Sequence, residues 1–179
     1  MIAEEAAEAD PAARDDVEIE HGLEADEIWL GLPADVLEAT LVRAVKACRA
    51  ELARADWAAT TRVGVLFASD EQVAELNRTW RDKPKPTNVL SWPAAAVEAG
   101  AAPGVHWGEL AFAEGVVRRE ADGKRWSPRD YLTHLAVHGL LHCLGHDHED
   151  DDEALAMESA ERRILARLGL PDPYAEDAA

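Results

Sequence analysis

A chain of 179 residues, 47% hydrophobic and 30% charged, is long enough for one compact domain with loose ends. Folding at this length hides about 70% of the surface that the unfolded chain exposes, so neither disulfides nor a metal are needed simply to hold it together. The net charge of -18 argues at first against a polyanionic partner, because nucleic-acid binding draws on Lys and Arg. Much of that charge is confined to residues 1 to 20 and to the run Glu149-Asp-Asp-Asp-Glu153, whereas Arg78 to Lys85 is locally basic. Cys48 and Cys143 form no CxxC pair and fit free thiols of a reducing compartment. No stretch approaches the ~20 apolar residues of a membrane span, and the acidic start has none of the features of a signal peptide. These features together predict a cytoplasmic protein that does not engage membranes.

Residues 1 to 15, rich in Ala, Glu and Asp without an apolar period, read as a disordered acidic tail, and 175 to 179 as a second disordered tail. Between them, 16 to 174 is expected to be one domain. Val17 to Glu20 is a predicted short strand. A helix follows from about Pro33 to Arg54, with Val36, Leu37, Leu41, Val45 and Cys48 at helical spacing. Arg62 to Ala68 alternates as a strand does, and Ser69 or Asp70 then caps a helix that carries Val73, Leu76 and Trp80. Lys83-Pro-Lys-Pro86 must end it. Asn88 to Trp92 is a predicted strand, Ala94 to His106 a loop, and Trp107 to Ala113 a further strand. Helix dominates from there. Ser127-Pro128 starts one that runs through Tyr131, Leu135, His138 and His142 to Gly145, and a last one spans about Asp151 to Leu168. The order of elements predicts an α+β fold, a small mixed β-sheet packed against helices.

Five of the seven histidines lie between His134 and His148. His138 and His142, four apart, share one face of a helix and can reach one ion at about 2.0 to 2.1 Å. Gly145 can turn the chain in left-handed geometry and return His148 to the same ion. Three neutral imidazoles and an open fourth position describe a catalytic zinc site, one Zn2+ per chain, at the end of a helix in the C-terminal half. A lone HxxxH is as readily a pair of satisfied, partly buried histidines; the glycine turn and the third histidine favour the metal. His134 is expected to support the site, His146 to face solvent, Asp147 to orient a ligand or take a proton, and Cys143 to fill the core. The spacing equals that of HExxHxxGxxH metallopeptidases. Their general base directly follows the first histidine, and here that place is Gly139.

The run His138, Gly139, Leu141, His142, Gly145, Asp147, His148 resembles the signature HGxLHxxGxDH of the YbeY endoribonucleases, also called ribosomal RNA maturation factors. Asn77, Trp80 and Arg81 followed by Pro86-Thr-Asn-Val-Leu-Ser-Trp92 are similar to a second motif of that family, and Trp107-Gly-Glu-Leu110 and the terminal Leu168 to Tyr174 look like further parts of it. The resemblance spans residues 17 to 174. It implies zinc on His138, His142 and His148, with Arg81 as a catalytic or RNA-binding residue. It further implies cleavage of single-stranded RNA, maturation of small-subunit ribosomal RNA, ribosome quality control, and contacts with a small-subunit ribosomal protein and the GTPase Era. A guanidinium suits that role because it can hold a phosphate through two parallel hydrogen bonds. Lys83 and Lys85 are the adjoining candidates for RNA binding. Pro84 stands where the family commonly has an acid, Trp92 replaces a phenylalanine, and the acidic N-terminal tail has no family counterpart. Two other classes compete, a metallopeptidase-like zinc hydrolase and a non-catalytic ribosome-assembly factor with a metal site. The first lacks its glutamate; the second lacks a fourth protein ligand.

Overall fold

The structure is a computed structural model that describes residues 16 to 175, so the predicted acidic tail and all but the first residue of the C-terminal tail lie outside the described residues. In chain order the elements are β1 (Asp16–His21), β2 (Ile28–Trp29), β3 (Leu32–Pro33), α1 (Ala34–Leu52), β4 (Thr60–Ala68), α2 (Asp70–Arg81), β5 (Val89–Pro93), β6 (His106–Ala113), α3 (Glu114–Lys124), α4 (Pro128–Cys143) and α5 (Asp151–Arg167). The main sheet has the order β1-β4-β6-β5, with β1 and β6 parallel to β4 and β5 antiparallel to β6. The α+β expectation with a small mixed sheet therefore holds.

The sheet separates two unequal apolar layers. Val63 and Val65 of β4 and Trp107, Leu110 and Phe112 of β6 join α1, α4 and α5 in the large core, where Leu37, Leu41, Val45, Leu140, Leu141 and Ile164 are buried. The opposite face buries only a small group, Ala68, Val73, Leu90, Ala111, Ala113 and Val116. Trp107 and Leu110 reach the same core although they are three apart, which a strand of period two forbids. A bulge resolves this: Arg62 pairs with His106 and Val63 with Gly108, leaving Trp107 extra. Gly108 has φ +150, and a Cβ there would lie 2.3 Å from the Trp92 carbonyl oxygen.

Helix α3 and the β2–β3 hairpin lack a sequence signal of their own. Helix α3 has no side-chain cap from its own chain start; Asp70, the first residue of α2, accepts from the Val116 N–H at 3.0 Å instead. The hairpin of β2 and β3 turns on Leu30 (φ 58) and Gly31 (φ 76), both left-handed, as a two-residue hairpin of the primed type requires. A leucine is unfavourable there. Its burial and the bond from its N–H to Glu114 at 3.0 Å offset the strain.

Trp80 departs from the sequence expectation. It lies 67% exposed, and the buried polar residue of α2 is Asn77. The Asn77 side-chain amide donates to the Lys85 carbonyl oxygen at 2.7 Å, and the Asn77 backbone carbonyl accepts from the Lys83 N–H at 3.3 Å, so the proline-broken loop folds back on the helix end.

Candidate metal centre

Helix α4 begins as its sequence indicates, with Ser127 capping the Asp130 N–H and Pro128 in the first turn. Its end positions the site. Gly145 N–H bonds to the His142 carbonyl and His146 N–H to the Leu141 carbonyl, a paired termination that needs a left-handed residue at Gly145, whose φ is +83. The turn also passes close under the Ala94-to-His106 loop. A Cβ at Gly145 would stand 2.0 Å from the Val97 carbonyl oxygen, so only glycine fits.

This reversal returns His148 to the two helical histidines. One nitrogen each of His138, His142 and His148 lie within 4.8 Å of one another. The Nε2 atoms of His138 and His142 are 3.3 Å apart. Two nitrogens bound at about 2.0 to 2.1 Å to one tetrahedral ion would stand about 3.3 to 3.4 Å apart, so this pair already has the spacing of a shared metal. Burial, reinforced by His138 and His148, pushes the His142 imidazole down to about 4. It is neutral at pH 7, the state a metal ligand needs. The group can hold a metal ion.

Carboxylates stand behind two of the rings. Asp147 Oδ1 lies 3.8 Å from His142 Nδ1 and accepts the His148 N–H at 2.8 Å, so it braces the turn and faces the His142 ring. Glu161, fully buried on α5, puts Oε1 3.6 Å from His138 Nδ1 and 3.1 Å from His134 Nε2. Burial opposes charge on Glu161, yet the two imidazoles hold its carboxyl down at about 2. His134 thus supports the site, as expected; its ring also packs against Trp126 and Tyr131. Glu161 escapes a reading by sequence motif because it sits in another helix, 13 residues past His148, among many surface acids. His146, expected to face solvent, is half-buried, bordering both the cleft of the three histidines and a second cleft with Glu51 and Trp57. Cys143 is buried filler beside Gly108.

The three histidines open on a cleft of about 820 Å³ that Arg81, Thr87, Asn88, Ser91 and Asp147 also line. Edge strand β5 forms one wall. Asn88 is committed internally, its amide donating to Glu120 at 2.9 Å and its oxygen accepting from Val89 N–H at 2.7 Å. Glu98, Asp147 and Glu149 also line the cleft, so a bound cation would offset local negative charge before any phosphate approaches. Of the basic stretch, Arg78 is paired with Glu75. Arg81, Lys83 and Lys85 make no ion pair among the described residues, and of the three Arg81 alone lines the cleft.

Gly139 answers the peptidase comparison from the structure. A Cβ there would lie 2.8 Å from Leu110 Cδ2 and 3.5 Å from Val89 Cγ2, so position 139 presses on the sheet. A glutamate does not fit that contact.

The family model described as Endoribonuclease YbeY matches residues 33–169. The chain belongs to the YbeY family. An Endoribonuclease YbeY of Agrobacterium fabrum is 52% identical over 113 residues, 63% of this chain and 67% of that protein. Another, of Azorhizobium caulinodans, is 45% identical over 152 residues, covering 84% and 92% respectively. The solution structure of TM1509 from Thermotoga maritima shares the fold with a TM-score of 0.50 at 18% identity, over 88% of this chain and 97% of that one. Among the described residues no helix is long and apolar enough to cross a membrane.

Proposed function

We propose that this YbeY-family chain is a zinc-dependent endoribonuclease that cuts single-stranded RNA in ribosomal RNA processing. The observation that carries the reading is the meeting of three metal-competent histidines and an unpaired arginine in one cleft. A phosphodiester is anionic and gains charge as it reacts, so its cleavage needs fixed positive charge on more than one side. Held by His138, His142 and His148, a zinc ion would supply Lewis acidity to the phosphate and to the attacking oxygen.

The chain's own residues supply the rest. Arg81 grips a non-bridging phosphate oxygen through its planar fork and steadies the charge that develops. Asp147 keeps the His142 ring turned toward its ligand position. Lys83 and Lys85, exposed beyond the cleft, attract the phosphates of the flanking strand in a salt-dependent way. Zinc is favoured over magnesium because the site is all nitrogen, whereas magnesium prefers oxygen. Family membership supports a place in small-subunit ribosomal RNA maturation and ribosome quality control in the cytoplasm. It likewise supports contacts with a small-subunit ribosomal protein and the GTPase Era.

Elemental analysis of the purified protein, paired with a single-stranded RNA cleavage assay, tests this. About one zinc per chain is expected, with both zinc and cleavage lost in the triple His138→Ala, His142→Ala, His148→Ala variant. Full zinc occupancy in that variant, or a wild type that leaves RNA intact and cuts peptides, would overturn it.

A further inference from the structure

The carboxylate of Glu161 is fully buried and lies between the three histidines and Tyr174. Its two oxygens face different partners. Oε1 looks toward His138 Nδ1 at 3.6 Å and His134 Nε2 at 3.1 Å, while Oε2 accepts from the Tyr174 hydroxyl. No donor is aligned in full hydrogen-bond geometry with Oε1, and none with the buried His134 Nδ1. Burying a carboxylate is costly unless partners stabilise its charge, and here those partners are the two imidazoles and the Tyr174 hydroxyl.

Tyr174 is itself fixed from several sides. Its ring lies under the Arg162 guanidinium at 4.8 Å, its N–H bonds to Asp172 Oδ1 at 2.9 Å, and Asp172 also pairs with Arg162 at 3.3 Å. Lys124 Nζ ties the Pro173 carbonyl oxygen to α3. The segment 172 to 174 is therefore docked by polar contacts that orient one hydroxyl.

An imidazole that faces a carboxylate through Nδ1 carries its proton there, which leaves the Nε2 lone pair free. His138 Nε2 is the atom set 3.3 Å from His142 Nε2. We infer that Glu161, held in place by Tyr174, is a positioning residue that selects the metal-binding tautomer and ring orientation of His138, so that the C-terminal segment sets the metal affinity of the centre. Asp147 stands in the same relation to His142 at 3.8 Å, but half-exposed, where water screens it. Glu161 is the stronger of the two anchors.

This inference rests on the metal reading of the three histidines. The test is competition between the full-length protein and a chelator of known zinc affinity, together with the visible absorption of the cobalt-loaded protein, which reports ligand geometry without any RNA assay. Glu161→Gln retains the shape and removes the charge; a fall in zinc affinity of roughly 10- to 100-fold is expected, as for other carboxylates behind metal-bound histidines. Tyr174→Phe removes a single hydroxyl, and a smaller loss in the same direction should follow. Circular dichroism should show both variants folded. If the wild type binds neither metal, the metal reading itself fails. If the wild type binds and both variants bind within twofold of it, the centre stands and the role given to Glu161 and Tyr174 is overturned, even should Glu161→Gln lower the melting temperature.

Discussion

Helices α4 and α2 both deliver functional groups to one cleft, and they do so from opposite surroundings. Most of α4 is buried between the sheet, α1, α3 and α5, so His138 and His142 project from a scaffold that cannot shift without disturbing the core. Helix α2 buries only Val73 and Asn77, and Arg81 is its last residue, just before Asp82 in left-handed geometry (φ 53). Metal ligands must hold their places to a few tenths of an ångström. Arg81, in the role proposed for it, would work through a long side chain and need only an anchored base, which Asn77 provides by tying down the loop after it. The difference separates what substitutions in each helix should do.

Arg81→Ala should have the largest effect and should leave α4 untouched: zinc content and melting temperature unchanged, cleavage of single-stranded RNA lowered by roughly 10² to 10³. Arg81→Lys should recover only part of that rate, since a point charge lacks the fork. A wild-type rate in Arg81→Ala would show that the two helices are not partners in one reaction.

Gly139→Ala probes the rigid side of the comparison. Alanine favours the helix by about 1 kcal/mol, but a Cβ 2.8 Å from Leu110 overpacks the sheet contact, a change that costs about 1 to 3 kcal/mol. The second effect should win, with a net loss of up to about 2 kcal/mol in urea unfolding. A variant more stable than wild type would mean that α4 has room to move against β6.

The smallest effect is expected at the other end of α2. Asp70 is partly desolvated, which alone would raise its pKa, but Arg119 at 2.9 Å and the Val116 N–H lower it overall. Because the folded value lies below the unfolded one, the stabilisation is fully present above about pH 5 and is lost as the pH falls through the unfolded value and below it. Asp70→Asn should therefore be less stable than wild type by about 1 kcal/mol at neutral pH, and the two unfolding curves should converge in acid. A difference that grows on acidification would remove Asp70 as the cap of α3.

Local chemistry is what the sequence carries. The periodicity of α1, the Ser69 cap of α2, the Ser127-Pro128 start of α4 and the glycine that ends it each depend on neighbours within a few residues, and each is found where the pattern puts it. So is the cluster of three histidines that could hold a metal ion, because one helical turn and one glycine reversal bring them together within eleven residues. Whatever depends on distant parts of the chain was decided only by the tertiary structure. Helix α3 is capped by Asp70 from another element, and Leu30 adopts a left-handed conformation stabilised by Glu114. Trp80, apolar in sequence, stays exposed on the rim of an open groove that Leu66, Leu76, Trp92 and Ala111 also line. Glu161 is one acid among many until α5 packs on α4 and removes it from water beside His138. Spacing along a chain reports which groups share a turn; which groups share a dry interior depends on packing between elements far apart in sequence.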